Sequence, residues 1–230
     1  DFVNNFDDSL QEPSVLPTKI PNLIVNGANG IAVGMATNMA PHNLAQTIDA
    51  TVAYIDNPEI EVDELGKIIQ APDFPTGGII YGIDGVREAY ATGHGRVVIR
   101  SKTEIETSER GHERIVVTEI PYMVNKAELI KHIANLVTDK KIEGISNVND
   151  ESGRQGMRIV VDCKRDCNAN VLLNKLFKMT ALQSSFSVNN IALVKGRPRL
   201  LSLKECVKYF VEHRHDVTIR RPKYDRPQAQ

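Results

Sequence analysis

"VNGANGIAVGMATN", residues 25–38, sets three glycines and two Asn-Gly pairs among Val, Ile, Ala and Met. Asn-Gly is favoured where a two-residue turn needs positive φ, so the stretch predicts a hairpin. In that reading "NLIV" (22–25) is a strand entering the Asn-Gly turns and "IAVGMAT" (31–37) is the strand leaving them, with one apolar residue, Ile31, at the tip. Glycine-rich loops also cradle phosphates, but a P-loop closes on Gly-Lys-Ser/Thr and the dinucleotide fingerprint is G-x-G-x-x-G opening a helix. Here the spacing is G-x-x-G-x-x-x-G with no lysine and no helix start, which argues against nucleotide binding. Two readings of Ile31 stay open: a side chain packed beneath the turn, or one presented outward on a narrow support.

Upstream, Pro13, Pro17 and Pro21 break any helix before it starts. Downstream, Leu44, Ile48, Val52 and Ile55 recur at helical spacing behind Asn43, which is placed to cap the first turn. "APDFPTGG" (71–78) then reads as a buried or partner-facing loop. "RVVIRSKTEIE" (96–106) and "ERIVVTEI" (113–120) alternate as strands of a hairpin around "TSERGH". The helix "NKAELIKHIANLVTD" (125–139) follows, with Asn125 and Glu128 as a capping pair. Strands at 143–149 and 157–163 and a helix at 169–179 complete an order of strand, helix, strand, strand, helix. That order predicts α+β, a two-layer unit with helices on one face of a mixed sheet. After "IALVKGRPRLL" a helix begins at Ser202, where Ser202 and Glu205 form a capping box, and Val207, Phe210, Val211 and Val217 give it an apolar stripe. Pro222 and Pro227 are expected to interrupt it.

Composition sets the class. Of 230 residues, 41% are apolar and 25% charged, as in a folded globular protein, and no apolar run is long enough to cross a bilayer. Three cysteines fit a reducing compartment better than a disulfide framework. The formal net charge of −1 conceals an asymmetry: residues 1–70 hold two Lys/Arg against ten carboxylates, and residues 191–230 hold ten against four. A basic end keeps a polyanion partner in view, although solvated helix faces look the same. Metal and nucleophile motifs are weak. Cys163-x-x-x-Cys167 lacks a second pair, and His213 and His215 point to different sides of a helix.

Several blocks together carry a family resemblance: "DFVNNFD", "LPTKIPNLIVNGANGIAVGMATNMAPHNL", "PDFPTGG", "EIPYMVNKAELI", "EGISNVNDES" and "ALQSSFSVN". In order and across nearly the whole chain, they resemble the breakage-reunion A subunits of bacterial type IIA topoisomerases, DNA gyrase foremost and topoisomerase IV as its paralogue. The resemblance implies a segment following a winged helix, with a DNA-bending hairpin (1–90), a two-layer α+β tower (91–195) and the start of a coiled-coil arm (196–230).

It also implies a role for the hairpin. Type IIA enzymes bend the gate duplex with an isoleucine inserted between base pairs, and the matching position is Ile31, with Gly30 and Asn29 beside it. Lys19 and Lys126 would contact phosphates; for Lys126 an exposed helix-start lysine is the plain alternative. The family's active-site tyrosine follows an arginine in the upstream winged helix. No tyrosine here follows an arginine, so no catalytic residue is assigned and these residues alone are not expected to cleave DNA. No metal or cofactor is expected in this chain; magnesium and ATP would belong to the gyrase B subunit. The implied partners are double-stranded DNA, a second copy of the same subunit, and the B subunit of the heterotetramer, in the cytoplasm and without a membrane. Two other classes remain: a stand-alone α+β nucleic-acid-binding module, and an interaction domain with no nucleic-acid role.

Overall fold

The run 96–106, expected as one strand, breaks at Ser101, where the chain passes from one sheet to another. The computed structural model describes residues 2–16 and 18–226. A small ladder of β1 (Phe2–Asn4) and β2 (Gln11–Pro13) comes first, then α1 (Asn22–Asn26), the hairpin of β3 (Ala28–Ala32) and β4 (Met35–Met39), and the helices α2 (Leu44–Asp56) and α3 (Val62–Ile68). β5 (Ile79–Ile80), α4 (Asp84–Thr92) and β6 (His94–Arg100) lead to the break. Beyond it run β7 (Lys102–Thr107), β8 (Glu113–Glu119), α5 (Lys126–Thr138), β9 (Ile145–Asp150), β10 (Ile159–Cys163) and α6 (Ala169–Met179). The chain then returns through β11 (Gln183–Asn189), β12 (Ile191–Val194), β13 (Arg197–Leu200) and α7 (Leu203–Asp225).

The architecture is α+β. One sheet has the order β3-β4-β11-β6-β5 and the other β7-β8-β10-β9. The Ser101 N–H donates to the Leu182 carbonyl at 2.8 Å, tying the outgoing crossing to the return. The expected mixed sheet is corrected: every strand pairing among the described residues is antiparallel. β8 and β9, joined through α5, would be parallel neighbours in a simple βαβ unit, but β10 inserts between them and pairs with both. The hairpin around 107–112 is formed by β7 and β8 alone.

Apolar burial divides into two cores. Residues of α2, α3, α4, α7 and the five-stranded sheet, among them Leu65, Ile69, Val97, Ile99 and Val207, form the first. Ile133 of α5 and Leu172 and Leu176 of α6 pack on Ile115, Ile159 and Val161 of the four-stranded sheet to form the second. α2 forms where the periodicity places it, capped by Asn43, but its apolar stripe faces outward: Leu44, Ile48, Val52 and Ile55 are exposed. The buried face is Thr47, Ala50, Thr51 and Tyr54. The two threonines tolerate burial because their hydroxyls donate back to the carbonyls of Asn43 and Thr47, each at 2.7 Å. α7 starts at the expected capping box and, contrary to expectation, runs through Pro222 to Asp225. Pro222 sits in the last turn, where its missing N–H removes one bond and little helix remains to be disrupted. Pro227 lies outside the described residues.

A half-buried histidine meets a buried tyrosine of the first core. The His42 ring packs at 5.7 Å, tilted by 43°, against Tyr90, and its Nδ1 lies 2.9 Å from the Ile24 carbonyl, which fixes Nδ1 as the protonated nitrogen of the neutral ring. The Tyr90 hydroxyl is sealed from solvent with no hydrogen-bond partner among the described residues. Burial pushes the Tyr90 phenol up. Burial also lowers the His42 pKa, outweighing the opposing Ile24 and Ala40 carbonyls and the Asp73 charge.

Two expectations follow from this pair, and the second core supplies a third. Tyr90→Phe removes an unsatisfied buried hydroxyl, so urea unfolding should show a stability unchanged or raised by about 1 kcal/mol; a loss of about 2 kcal/mol would mean that the hydroxyl is bonded. Because the folded pKa of His42 lies below the unfolded value of about 6.5, the unfolded chain takes up the proton first as pH falls. Stability present above that value should therefore decline as pH drops from it toward the folded pKa. His42→Gln, which does not titrate, should remove that part of the slope. Leu176→Ala should cost about 2–5 kcal/mol as a cavity in the second core.

Candidate nucleic-acid interface

The hairpin at 28–39 begins where a glycine lets the chain turn out of a helix in close contact with the opposite strand. α1 ends at Asn26, and Gly27 carries φ +67°. A Cβ at Gly27 would overlap the Met39 carbonyl oxygen, so only glycine fits. The segment expected as an entering strand is thus a helical turn, and the first Asn-Gly pair is its stop signal. The second pair lies inside β3. Five residue pairs, Ala28↔Met39 to Ala32↔Met35, form the ladder, and the two-residue turn falls at Val33 and Gly34, with φ +80° at the glycine. Ile31 pairs with Ala36, just short of the tip.

Exposure rises along the hairpin. Met39 is buried at its base, whereas Ile31 is 92% exposed and Val33 is fully so. Ile31 therefore has no place in either core, which removes the reading of a residue packed beneath the turn.

What holds the hairpin is mostly side chains. β4 meets β11 through a single backbone-paired residue couple, Asn38↔Asn189. Around it, the Asn38 Nδ2 donates to the Ser187 carbonyl at 2.7 Å and the Asn189 Nδ2 to the Ala36 carbonyl at 2.7 Å. The Thr37 hydroxyl donates to the Asn189 carbonyl at 3.2 Å, and Asn29 Nδ2 to Asn38 Oδ1 at 2.9 Å. Asn29 is thus linked through Asn38 to the sheet. Nothing in the sequence pattern marks Thr37, Asn38, Asn189 or Val33, since each acts through a register that spacing cannot show.

The structure brings Asn29, Gly30 and Ile31 together on β3. Gly30 has open space beside it, a Cβ there meeting only the Thr37 methyl at 3.9 Å. Lys19 is exposed just upstream of α1. Lys126 opens α5 on the other sheet, and its Nζ lies 2.7 Å from the Asp150 Oδ2. That hydrogen bond is the main reason why the Asp150 carboxyl drops to about 2. From Ile20 to Ile48 the chain carries no Lys, Arg, Asp or Glu, so the hairpin presents apolar and amide groups without a charge that would either hold or repel a phosphate. Among the described residues no group of three or more His, Cys, Asp or Glu could hold a metal ion, and no helix is long and apolar enough to cross a membrane.

A projecting apolar residue on an uncharged ribbon has the form to insert between stacked bases. The whole chain, residues 1–230, matches the family of the A subunits of DNA gyrase/topoisomerase IV. It is similar to the DNA gyrase A subunit of Streptococcus pneumoniae, 52% identical over 230 residues, which cover 100% of this chain and 28% of that protein. The same-named protein of Halalkalibacterium halodurans is 54% identical over 100% of this chain and 28% of its own length. That of Neisseria gonorrhoeae is 56% identical over 96% of this chain and 24% of its length. The chain spans about a quarter of the length of these relatives. It belongs to the family of DNA gyrase/topoisomerase IV A subunits.

Proposed function

We propose that this chain is the part of a type IIA topoisomerase breakage-reunion subunit, of the gyrase kind, that binds and bends the gate duplex. In this reading Ile31 is the wedge, while Gly30 and Asn29 lie against the opened base step. The single observation that carries it is the almost complete exposure of Ile31 near the tip of a hairpin anchored at its base.

Unstacking a base step costs on the order of a few kcal/mol. Burying one isoleucine returns about 1.5–3 kcal/mol. The wedge therefore comes near to offsetting the local cost, and the net binding energy must come from phosphate contacts made elsewhere. Lys19, beside the uncharged segment, is one such contact. Lys126 is a second only if the phosphate takes the place of Asp150 at its ammonium group.

The rest of the proposed cycle lies with other parts and partners. The gyrase B subunit would supply ATP hydrolysis and the magnesium site, a second copy of this subunit would complete the gate, and ATP-dependent negative supercoiling in the cytoplasm would be the outcome. The gyrase names of the relatives favour that enzyme over topoisomerase IV.

In the full-length subunit, Ile31→Ala should leave unfolding free energy within about 0.5 kcal/mol, because the side chain contacts no core. It should nevertheless lower the energy transfer between dyes at the two ends of a bound duplex, and strand passage with it. A variant that still bends DNA fully would refute the wedge. Asn38→Ala should instead cost about 1–2 kcal/mol, having lost two hydrogen bonds. Its hydrogen exchange should quicken at residues 28–39, and bending should weaken although Ile31 is intact.

A further inference from the structure

The second core holds two thiols for which the nucleic-acid reading has no use. β10 ends at Cys163, which is buried and pairs with Ile145 across a register shift in the ladder. The Lys164 N–H donates to the Gly144 carbonyl at 2.8 Å and the Cys167 N–H to the Lys164 carbonyl at 3.1 Å, so the chain doubles back within four residues. This puts Cys167 over Gly144, whose φ is +96° and whose Cβ, if present, would strike the Cys167 sulfur. Cys163 thus pairs with Ile145 inside the second core, and the Cys167 side chain lies against Gly144 on its border. Both are reduced, and Cys167 is close enough to act on the Cys163 thiol.

The two differ in access. Burial, with the neighbouring Cys167 and acidic groups, pushes the Cys163 thiol up to about 11, so it is a poor first nucleophile. Cys167 opens onto a cavity of about 620 Å³ whose lining carries Lys140, Lys164 and Lys175 against Glu143 and Asp166.

We propose that Cys163 and Cys167 form a peroxide-responsive dithiol, in which Cys167 meets the oxidant and Cys163 resolves it. The Cys167 sulfur attacks one oxygen of hydrogen peroxide, the O–O bond breaks, and the departing hydroxide leaves as water with the thiol proton. Cys167 is then a sulfenic acid. The Cys163 sulfur attacks it, the S–S bond forms, the S–O bond breaks, and the second water carries away the Cys163 proton. Two thiols have lost two electrons to one peroxide. Two equivalents of reduced glutathione restore them by exchange and leave as glutathione disulfide. The cross-link would pin the end of β10 to the residue before Asn168, the N-cap of α6. This site does not depend on the proposed DNA role, since it lies on the other sheet and uses neither the hairpin nor Lys126.

The test is brief exposure of the chain to hydrogen peroxide, followed by alkylation and peptide mass spectrometry. A Cys163–Cys167 disulfide should form within one molecule, Cys206 should remain alkylatable, and glutathione should reverse the change. Cys163→Ser, or Cys163→Ala where serine unsettles the core, should stop at a Cys167 sulfenic acid that dimedone traps. In Cys167→Ser, oxidation of Cys163 should slow by about tenfold or more. The proposal falls if Cys167 proceeds to sulfinic acid while Cys163 stays free, if Cys163 reacts as fast without Cys167, if the disulfide joins two molecules, or if neither thiol reacts.

Discussion

The hairpin depends on Asn38. A ribbon held by a full backbone ladder would lie flat along β11 and bury its length in the sheet; here one backbone couple and a cluster of amide and hydroxyl contacts hold β4 from Ala36 to Asn38. Side-chain bonds of this kind fix position without extending the sheet, so the outer residues clear the surface. Gly27 imposes the complementary restriction. Its positive φ lets α1 end and β3 begin directly against the Met39 carbonyl, where any side chain would push the hairpin off its seat. His42 completes the seat by holding the Ile24 carbonyl from below.

The second sheet is stabilised differently from how its surface suggests. Glu106 meets both Arg114 and Arg158, and Arg158 also meets Glu151, giving a four-residue ionic cluster that lowers the Glu106 pKa, chiefly through the hydrogen bonds from Arg158. Its members are a third or more exposed, and ion pairs in that setting contribute little each. The apolar contacts of α5 and α6 with β8 and β10 do the larger part. The crossing at Ser101 and Leu182, where the chain passes between the two cores, is reinforced by the Gly78 N–H donating to the Glu119 Oε2 at 2.6 Å, by Tyr122 stacked on Phe74 and by Arg100 over the Phe177 ring.

The helices were legible because caps and periodicity act within one turn. Asn43, Asn125 and the Ser202/Glu205 box all cap the helices assigned to them. The hairpin was legible as a hairpin but not in register, since Asn-Gly ends a helix as readily as it turns a strand, and Val33-Gly34 carries no such signature. Ser101 was invisible for another reason: an uninterrupted run of strand-forming residues says nothing about which sheet each half joins. The outward stripe of α2 shows the same limit. Spacing identifies a helix, but it does not say which face is buried when Thr47 and Thr51 satisfy their own hydroxyls. Of the candidate site, Ile31 was legible only through resemblance, and its anchors were not legible at all.

The division of labour between apolar and charged residues follows from magnitudes. An apolar wedge that only balances the unstacking it causes adds almost nothing to affinity, and so cannot by itself hold a duplex. It can decide where the duplex bends, because insertion at one step lowers the cost of deformation there and nowhere else. Cations act in the opposite way: they hold the polyanion at any sequence and leave the bend unplaced. A hairpin without charge from Ile20 to Ile48 therefore suits a surface that keeps the two tasks apart. The Lys126–Asp150 pair sharpens the point. At 2.7 Å, with the carboxyl held near pKa 2, Asp150 remains a competitor for the ammonium group throughout the physiological pH range, and a phosphate gains only the difference between the two anions. On the proposed reading, Ile31 sets the position of the bend, and residues that are not already paired must hold the DNA against it.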